Sequence, residues 1–143
     1  MSLLNDITNS ADLIDVRDII ARVEDLEAER ETYLAQYGES MGVRAEHWSE
    51  STDEGAELND LTNVLDALEG MGSDEQWRGV WYPVTLVRDS YFREYAQETA
   101  EDCGLITEGA GWPNNCIDWD QAARELRMDY SAIEYGGVTY WTR

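Results

Sequence analysis

Lysine is absent from this chain, and 31 aspartates and glutamates stand against only ten arginines and one histidine. With so few cations, most carboxylates have no guanidinium to meet and must point into water. Every element that carries them is therefore forced to be two-sided, acidic outside and apolar inside. Hydrophobic residues make up 43% of the chain, enough to build such an inside and to disfavour disorder. A length of 143 residues allows one compact domain or two small pieces sharing a linker.

The formal net charge of −21 excludes whole classes of partner. Binding to nucleic acid releases counterions from phosphates through a basic footprint, and here the balance is reversed. Anionic membrane surfaces repel the chain for the same reason. The start, Met1-Ser2-Leu3-Leu4-Asn5-Asp6, lacks the basic region of a signal peptide, and no apolar run nears the roughly 20 residues of a membrane span. A cytoplasmic protein is expected. In that setting Cys103 and Cys116 are expected as buried free thiols rather than a disulfide.

Charge and aromatic residues divide the chain in opposite senses. Residues 1–76 hold 20 acids and 4 arginines, whereas residues 77–143 hold 11 acids and 6 arginines, together with 12 of the 15 aromatics. The pattern predicts an acidic helical region over residues 1–70, a linker at 71–76 announced by Gly70-Met71-Gly72-Ser73, and an aromatic-rich region over 77–143.

In the front, Leu13, Val16, Ile20, Val23, Leu26, Arg30, Leu34 and Tyr37 step by three and four, predicting a helix over 12–37 that stops at Gly38. A second stripe, Leu58, Leu61, Leu65 and Leu68, follows Ser51-Thr52-Asp53-Glu54, where Ser51 or Thr52 suits the cap. Neither stripe can stay wet, so a helical hairpin is expected, or the same seam used between two subunits. The back is mixed. Val84–Val87 suits a strand, and Ser90 suits the cap of a helix with Phe92, Tyr95, Ala96, Thr99 and Cys103 on one face and Gly104 at its end. An irregular loop covers 105–117. Asp118, with Gln121 three residues on, suits the start of a helix burying Trp119, Ala122, Ala123 and Leu126. Ser131 to Tyr135, the turn Gly136-Gly137 and Val138 to Trp141 read as a β-hairpin. The expected class is α+β.

Motifs for chemistry are missing. A zinc site needs four close ligands, which His47 and two distant cysteines do not supply. A phosphate loop needs its lysine, and no nucleophile elbow occurs; His47 suits a surface or turn position. Asp118-Trp119-Asp120 begins like a calcium loop but lacks the glycine and later ligands. Among 31 carboxylates any acid pair of the glycosidase kind carries no information. The sequence therefore predicts no enzyme, no metal and no cofactor.

The carboxylates themselves form rows. Asp15, Asp18, Asp25 and Glu29 fall on one side of the first expected helix; Glu50, Asp53, Glu57 and Asp60 flank the leucine stripe of the second; Glu94, Glu98 and Glu101 line the third. Helical neighbours at three and four residues stand roughly 5–6 Å apart, and like charges there cost about 0.2–0.5 kcal/mol per pair. Successive phosphates on a DNA strand are about 3.4 Å apart along the axis and farther through space. The spacings are comparable, so a rigid acidic array suits a groove built for DNA. Two plainer readings compete: a solvated face, in which Arg22 pairs locally with Asp18, and salt adaptation, which would spread the acids evenly over both halves.

Tyr95-Ala96-Gln97-Glu98, Glu101-Asp102-Cys103-Gly104, Cys116-Ile117-Asp118-Trp119, Ala123-Arg124-Glu125-Leu126, Asp129-Tyr130 and the ending Tyr140-Trp141 resemble the C-terminal part of ArdA-type antirestriction proteins. The resemblance covers about residues 88–143, and the stretch from Ile117 to Tyr130 is its most specific piece. It implies an elongated acidic homodimer, encoded by phages or mobile elements, that mimics DNA in the cleft of type I restriction–modification enzymes. It also implies that Glu94, Glu98, Glu101, Asp102, Asp118, Asp120, Glu125 and Asp129 belong to the mimic surface, and that Tyr95, Trp119 and Leu126 pack. The expected partner is a host DNA-binding complex, of the restriction–modification or CRISPR kind. An adaptor that binds through its leucine seam is the alternative from another class.

Overall fold

Leu13–Asp15 opens the fold as a strand, β1, rather than as the first turn of the expected helix. Leu13 and Val16 stand three apart, so helical phase alone cannot exclude this segment, but its backbone is claimed elsewhere. Arg88 N–H donates to the Asp12 carbonyl and Val16 N–H to the Val84 carbonyl, at 2.9 and 2.7 Å. Helix α1 then runs Val16–Met41 and passes straight through Gly38. A glycine inside a helix costs about 1 kcal/mol, which a helix of 26 residues tolerates. The computed structural model describes residues 7–41, 48, 52–107, 109 and 111–143. His47, Glu50 and Ser51 lie outside them.

Helix α2 spans Asp53–Leu68. Thr52 caps it, its Oγ1 accepting from Gly55 N–H at 2.9 Å, with Asp53 and Glu54 beside the positive helix end. Gly70, at φ +78°, follows the helix in the left-handed conformation that glycine adopts without strain. Part of the expected linker is structured: β2, Glu75–Trp77, pairs with β3, Val80–Tyr82, as a separate hairpin. Its turn places Arg78 at φ +51°, unusual for a side chain larger than glycine. The Arg78 guanidinium lies 4.1 Å from the centre of the Trp77 ring and 2.6 Å from Glu27 Oε1 on α1. Both contacts offset the cost of that backbone.

Strand β4 is Thr85–Arg88, a residue later than expected, and a 3-10 turn at Asp89–Tyr91 leads into α3, Phe92–Asp102. Ser90 sits inside that turn and accepts from Arg88 Nη1 instead of capping the helix. Helix α4, Trp119–Arg127, is capped by Asp118, whose Oδ1 accepts from Gln121 N–H at 3.1 Å. Strands β5, Ser131–Tyr135, and β6, Val138–Thr142, close the chain around Gly136 and Gly137, both at positive φ.

β1, β4, β6 and β5 form one antiparallel sheet in that order. Alternation along the strands sends neighbouring residues to opposite faces. Leu86 and Tyr140 join Val16, Ile19, Val23, Leu26, Leu61 and Leu68 from α1 and α2 in one core. Val87 and Trp141 meet Phe92, Ala96, Ala123 and Leu126 from α3 and α4 in a second. The sheet is thus the middle layer of an α+β fold. The composition boundary is not a packing boundary, since β1 belongs to the acidic front and pairs with β4 of the aromatic back.

Cys103 and Cys116 are free, as expected, but exposed rather than buried. Helix α3 ends at Asp102, so helical phase no longer aims Cys103 at the sheet, and Cys116 lies in a short 3-10 turn.

Candidate functional site: an acidic seam between two helices

The acidic rows of the two front helices meet along one seam. Arg22 of α1 reaches across it and grips Glu57 of α2 with two parallel hydrogen bonds, Nε to Oε2 at 2.7 Å and Nη2 to Oε1 at 2.8 Å. This fork-to-carboxylate geometry is the strong form of an ion pair. The Glu57 hydrogen bond is the main reason the guanidinium holds its proton more tightly than usual, with Glu29 and Asp25 adding through space. Asp25 and Glu29 therefore share the flank of α1 that Arg22 occupies, and helical spacing puts Asp18, four residues before Arg22, on the same side. On α2, Asp53 and Asp60 stand four and three residues from Glu57. Burial pushes the Tyr135 phenol up, and Glu57 and Asp60 push it further, which places both acids near β5.

Asp25, Glu29, Asp53 and Asp60 are exposed and Asp18 is half-buried. Among the described residues no guanidinium lies within ion-pairing distance of these five. The other flank of α1 differs, with Glu27 held by Arg78 and Glu31 3.9 Å from Arg30. Behind the rows, Leu58, Leu61, Leu65 and Leu68 are buried within the chain. The seam that an adaptor would present is covered by the protein's own α1 and sheet.

Two expected members of the rows behave otherwise. Asp15 lies in β1 rather than on α1, and Arg17 binds both its oxygens, at 3.0 and 2.7 Å. That hydrogen-bonded pair holds its carboxyl below the usual range. Glu57 is exposed only in part and is neutralised by Arg22. The partner of Arg22 is also not the local Asp18 that spacing suggests. The signal for the cross-helix pair was weak in one chain of residues: an arginine bordering an apolar stripe, opposite a second stripe bordered by acids.

The back carboxylates belong to the opposite layer, on α3 and α4. Glu94 and Asp102 are exposed and Glu101 half-buried. Glu98 accepts from the Tyr91 hydroxyl at 2.5 Å, a bond that pushes the phenol up to about 12. Asp118 is committed to its cap and Asp120 lies 3.0 Å from Arg93. The structure therefore separates the front and back sets rather than joining them in one surface. Tyr95, Leu126 and Trp119 are all half-buried; Tyr95 and Leu126 pack against the second core, and Trp119 is not part of it.

No three His, Cys, Asp or Glu side chains are placed to hold a metal ion among the described residues. No helix among them is long and apolar enough to cross a membrane. An open polar cleft of about 480 Å³ lies between Met71–Asp74, Thr85, Tyr95, Tyr130 and Arg143. Burial, aided by a 3.2 Å contact with the Tyr95 hydroxyl, pushes Tyr130 there up to about 12. Comparison of the chain with protein-family models, curated proteins and solved structures gives no match.

Proposed function

We propose that this protein is a non-enzymatic DNA mimic that occupies the DNA-binding cleft of a host defence enzyme in the cytoplasm, a type I restriction–modification enzyme first among them. One observation supports this reading above the others: five carboxylates with no guanidinium partner among the described residues flank a seam between two helices whose inner faces are buried. Such an array is stiff, so it presents charge at fixed intervals of one or two helical turns, roughly 5–6 Å between Asp25 and Glu29 and about 10 Å from Asp18 to Asp25 and from Asp53 to Asp60, a scale that suits a phosphate-binding groove. A solvated face needs no fixed spacing, and salt adaptation needs no difference between the halves. The resemblance of residues 88–143 to antirestriction proteins points the same way.

The mechanism is competitive occupation. Many weak contacts steer encounter at high rate, and the basic cleft of the enzyme is filled before DNA arrives. Homodimer formation belongs to this proposal through the resemblance, because Val16, Ile20, Val23 and Leu26, the middle of the long apolar stripe, are buried within one chain. Displacement of fluorescent duplex DNA from a purified type I methyltransferase core provides the test. The expected outcome is stoichiometric displacement that weakens as salt rises. Failure to displace DNA at low salt from that enzyme or from a CRISPR surveillance complex would sink the proposal.

A further inference from the structure

We infer that Arg22 is a positioning residue: by clamping Glu57 it fixes the distance between the acidic row of α1 and that of α2, and so sets the spacing of the charges the protein offers. The inference rests on the DNA-mimic reading for its consequence, though not for its geometry. Arg22 is the only cation on this flank among the described residues, and simple electrostatics makes it a defect there, since it cancels one negative charge of the face. Its geometry argues for a different role. Both donor nitrogens meet both carboxylate oxygens at 2.7 and 2.8 Å, so the pair constrains orientation as well as distance. The apolar contacts between the helices are non-directional and tolerate sliding. The fork does not. Each partner is about a third exposed, 34% for Arg22 and 33% for Glu57, so the pair lies at the rim of the apolar seam, where the two rows begin. Arg17 and Arg78, by contrast, bind Asp15 and Glu27, which lie outside these rows.

The inference separates two effects that normally move together. Arg22→Gln adds one net negative charge to the face while releasing the clamp. Pure charge steering predicts equal or faster association; a spacing role predicts weaker binding through faster dissociation. The double exchange Arg22→Glu with Glu57→Arg restores the clamp with its polarity reversed and leaves the net charge unchanged.

The experiment has two arms on the full chain. In the first, nitroxide labels at Ala28→Cys and Asn63→Cys, both exposed positions, are introduced with Cys103→Ser and Cys116→Ser, and their distance distribution is measured by pulsed electron resonance. Arg22→Gln is expected to broaden the distribution and the double exchange to narrow it again. In the second, displacement of duplex DNA from a type I methyltransferase core is measured for the same variants without labels, with thermal unfolding confirming that each is folded. Arg22→Gln is expected to bind about tenfold more weakly and the double exchange to recover most of that loss. A distribution unchanged by Arg22→Gln overturns the inference, and so does a broadened one with affinity equal to or above wild type. A wild-type chain that displaces no DNA overturns the functional reading instead, while the first arm still decides whether Arg22 sets the spacing.

Discussion

Tyr140 of β6 donates its hydroxyl to the Ala11 carbonyl at 2.6 Å, joining residues 129 positions apart in the chain. The Tyr140 ring is fully buried in the core that α1 and α2 share with the sheet. Tyr135 does the same to the Ile7 carbonyl at 3.0 Å, and Asn9 Nδ2 donates to the Gly136 carbonyl at 2.9 Å. The segment ahead of β1 is therefore tied to the β5–β6 hairpin by two tyrosine side chains from the back of the chain and one asparagine side chain from the front. The acidic front and aromatic back hold each other in place.

Removing that hydroxyl tests the tie. Tyr140→Phe keeps the ring and deletes the donor, leaving a carbonyl of Ala11 without its partner. A loss of about 1–2 kcal/mol in unfolding free energy is expected, read from urea denaturation. The unfolding should also remain a single transition seen alike by tryptophan fluorescence and far-ultraviolet dichroism. Two separated transitions would mean that front and back fold independently.

How much of this was legible beforehand depended on which force decided each element. Leu58, Leu61, Leu65 and Leu68 were readable because one buried face and one cap residue, Thr52, specify α2 without outside help. The Gly136-Gly137 hairpin was readable for a similar reason, since two left-handed residues in succession suit few other structures. β1 was not, because three residues in phase with a following helix carry no local signal. Only the ladder offered by β4 makes them a strand. The turn at Arg78 was hidden for an equivalent reason, its backbone being stabilised by Trp77 and by Glu27, 51 residues away. At the site, the acids could be placed in rows from spacing alone. Which of them were neutralised depended on where Arg17 and Arg22 reached, and that is tertiary information.

Leu61 is fully buried between α2 and the shared core. Leu61→Ala should cost about 2–5 kcal/mol, through lost transfer energy and the cavity left behind. Denaturant midpoints measure it. A cost below about 1 kcal/mol would place Leu61 near the surface and revive the leucine seam as a docking face for an adaptor.

Alkaline stability follows from the tyrosines. Tyr130 is pushed from 10.0 to about 12, first by burial and then by its hydrogen bond with Tyr95. Between those two values the unfolded chain gives up the phenolic proton while the folded chain keeps it. The unfolded state then binds fewer protons, so stability falls as pH rises through that window and is unaffected below it. Tyr91, pushed to about 12 by Glu98, adds to the slope. Tyr130→Phe should flatten the fall, as read from urea midpoints across the window. An unchanged slope would show that Tyr130 titrates at its ordinary value.

The acidic seam makes the most demanding prediction. Asp18, Asp25, Glu29, Asp53 and Asp60 are changed together to Asn or Gln, while Asp15 and Glu57 are left alone, because removing either would strand Arg17 or Arg22 without its carboxylate. The fold should survive, and it should gain about 0.2–0.5 kcal/mol for each like-charge helical pair relieved. Binding to a type I methyltransferase core should weaken chiefly in association rate, with a shallower dependence on salt, because charge steers encounter more than it tightens contact. Each single change should matter little, since an exposed ion pair with the target is worth about 0–1 kcal/mol, so the loss should grow by steps as charges are removed. Neutralising Glu94, Glu101, Asp102, Glu125 and Asp129, on or beside α3 and α4, likewise removes five charges and is the matched control for net charge. If that control weakens binding as much as the seam variant does, overall charge rather than the α1–α2 face carries the activity. If the five-fold variant folds and still displaces DNA at wild-type potency, the front helices do not form the mimic surface.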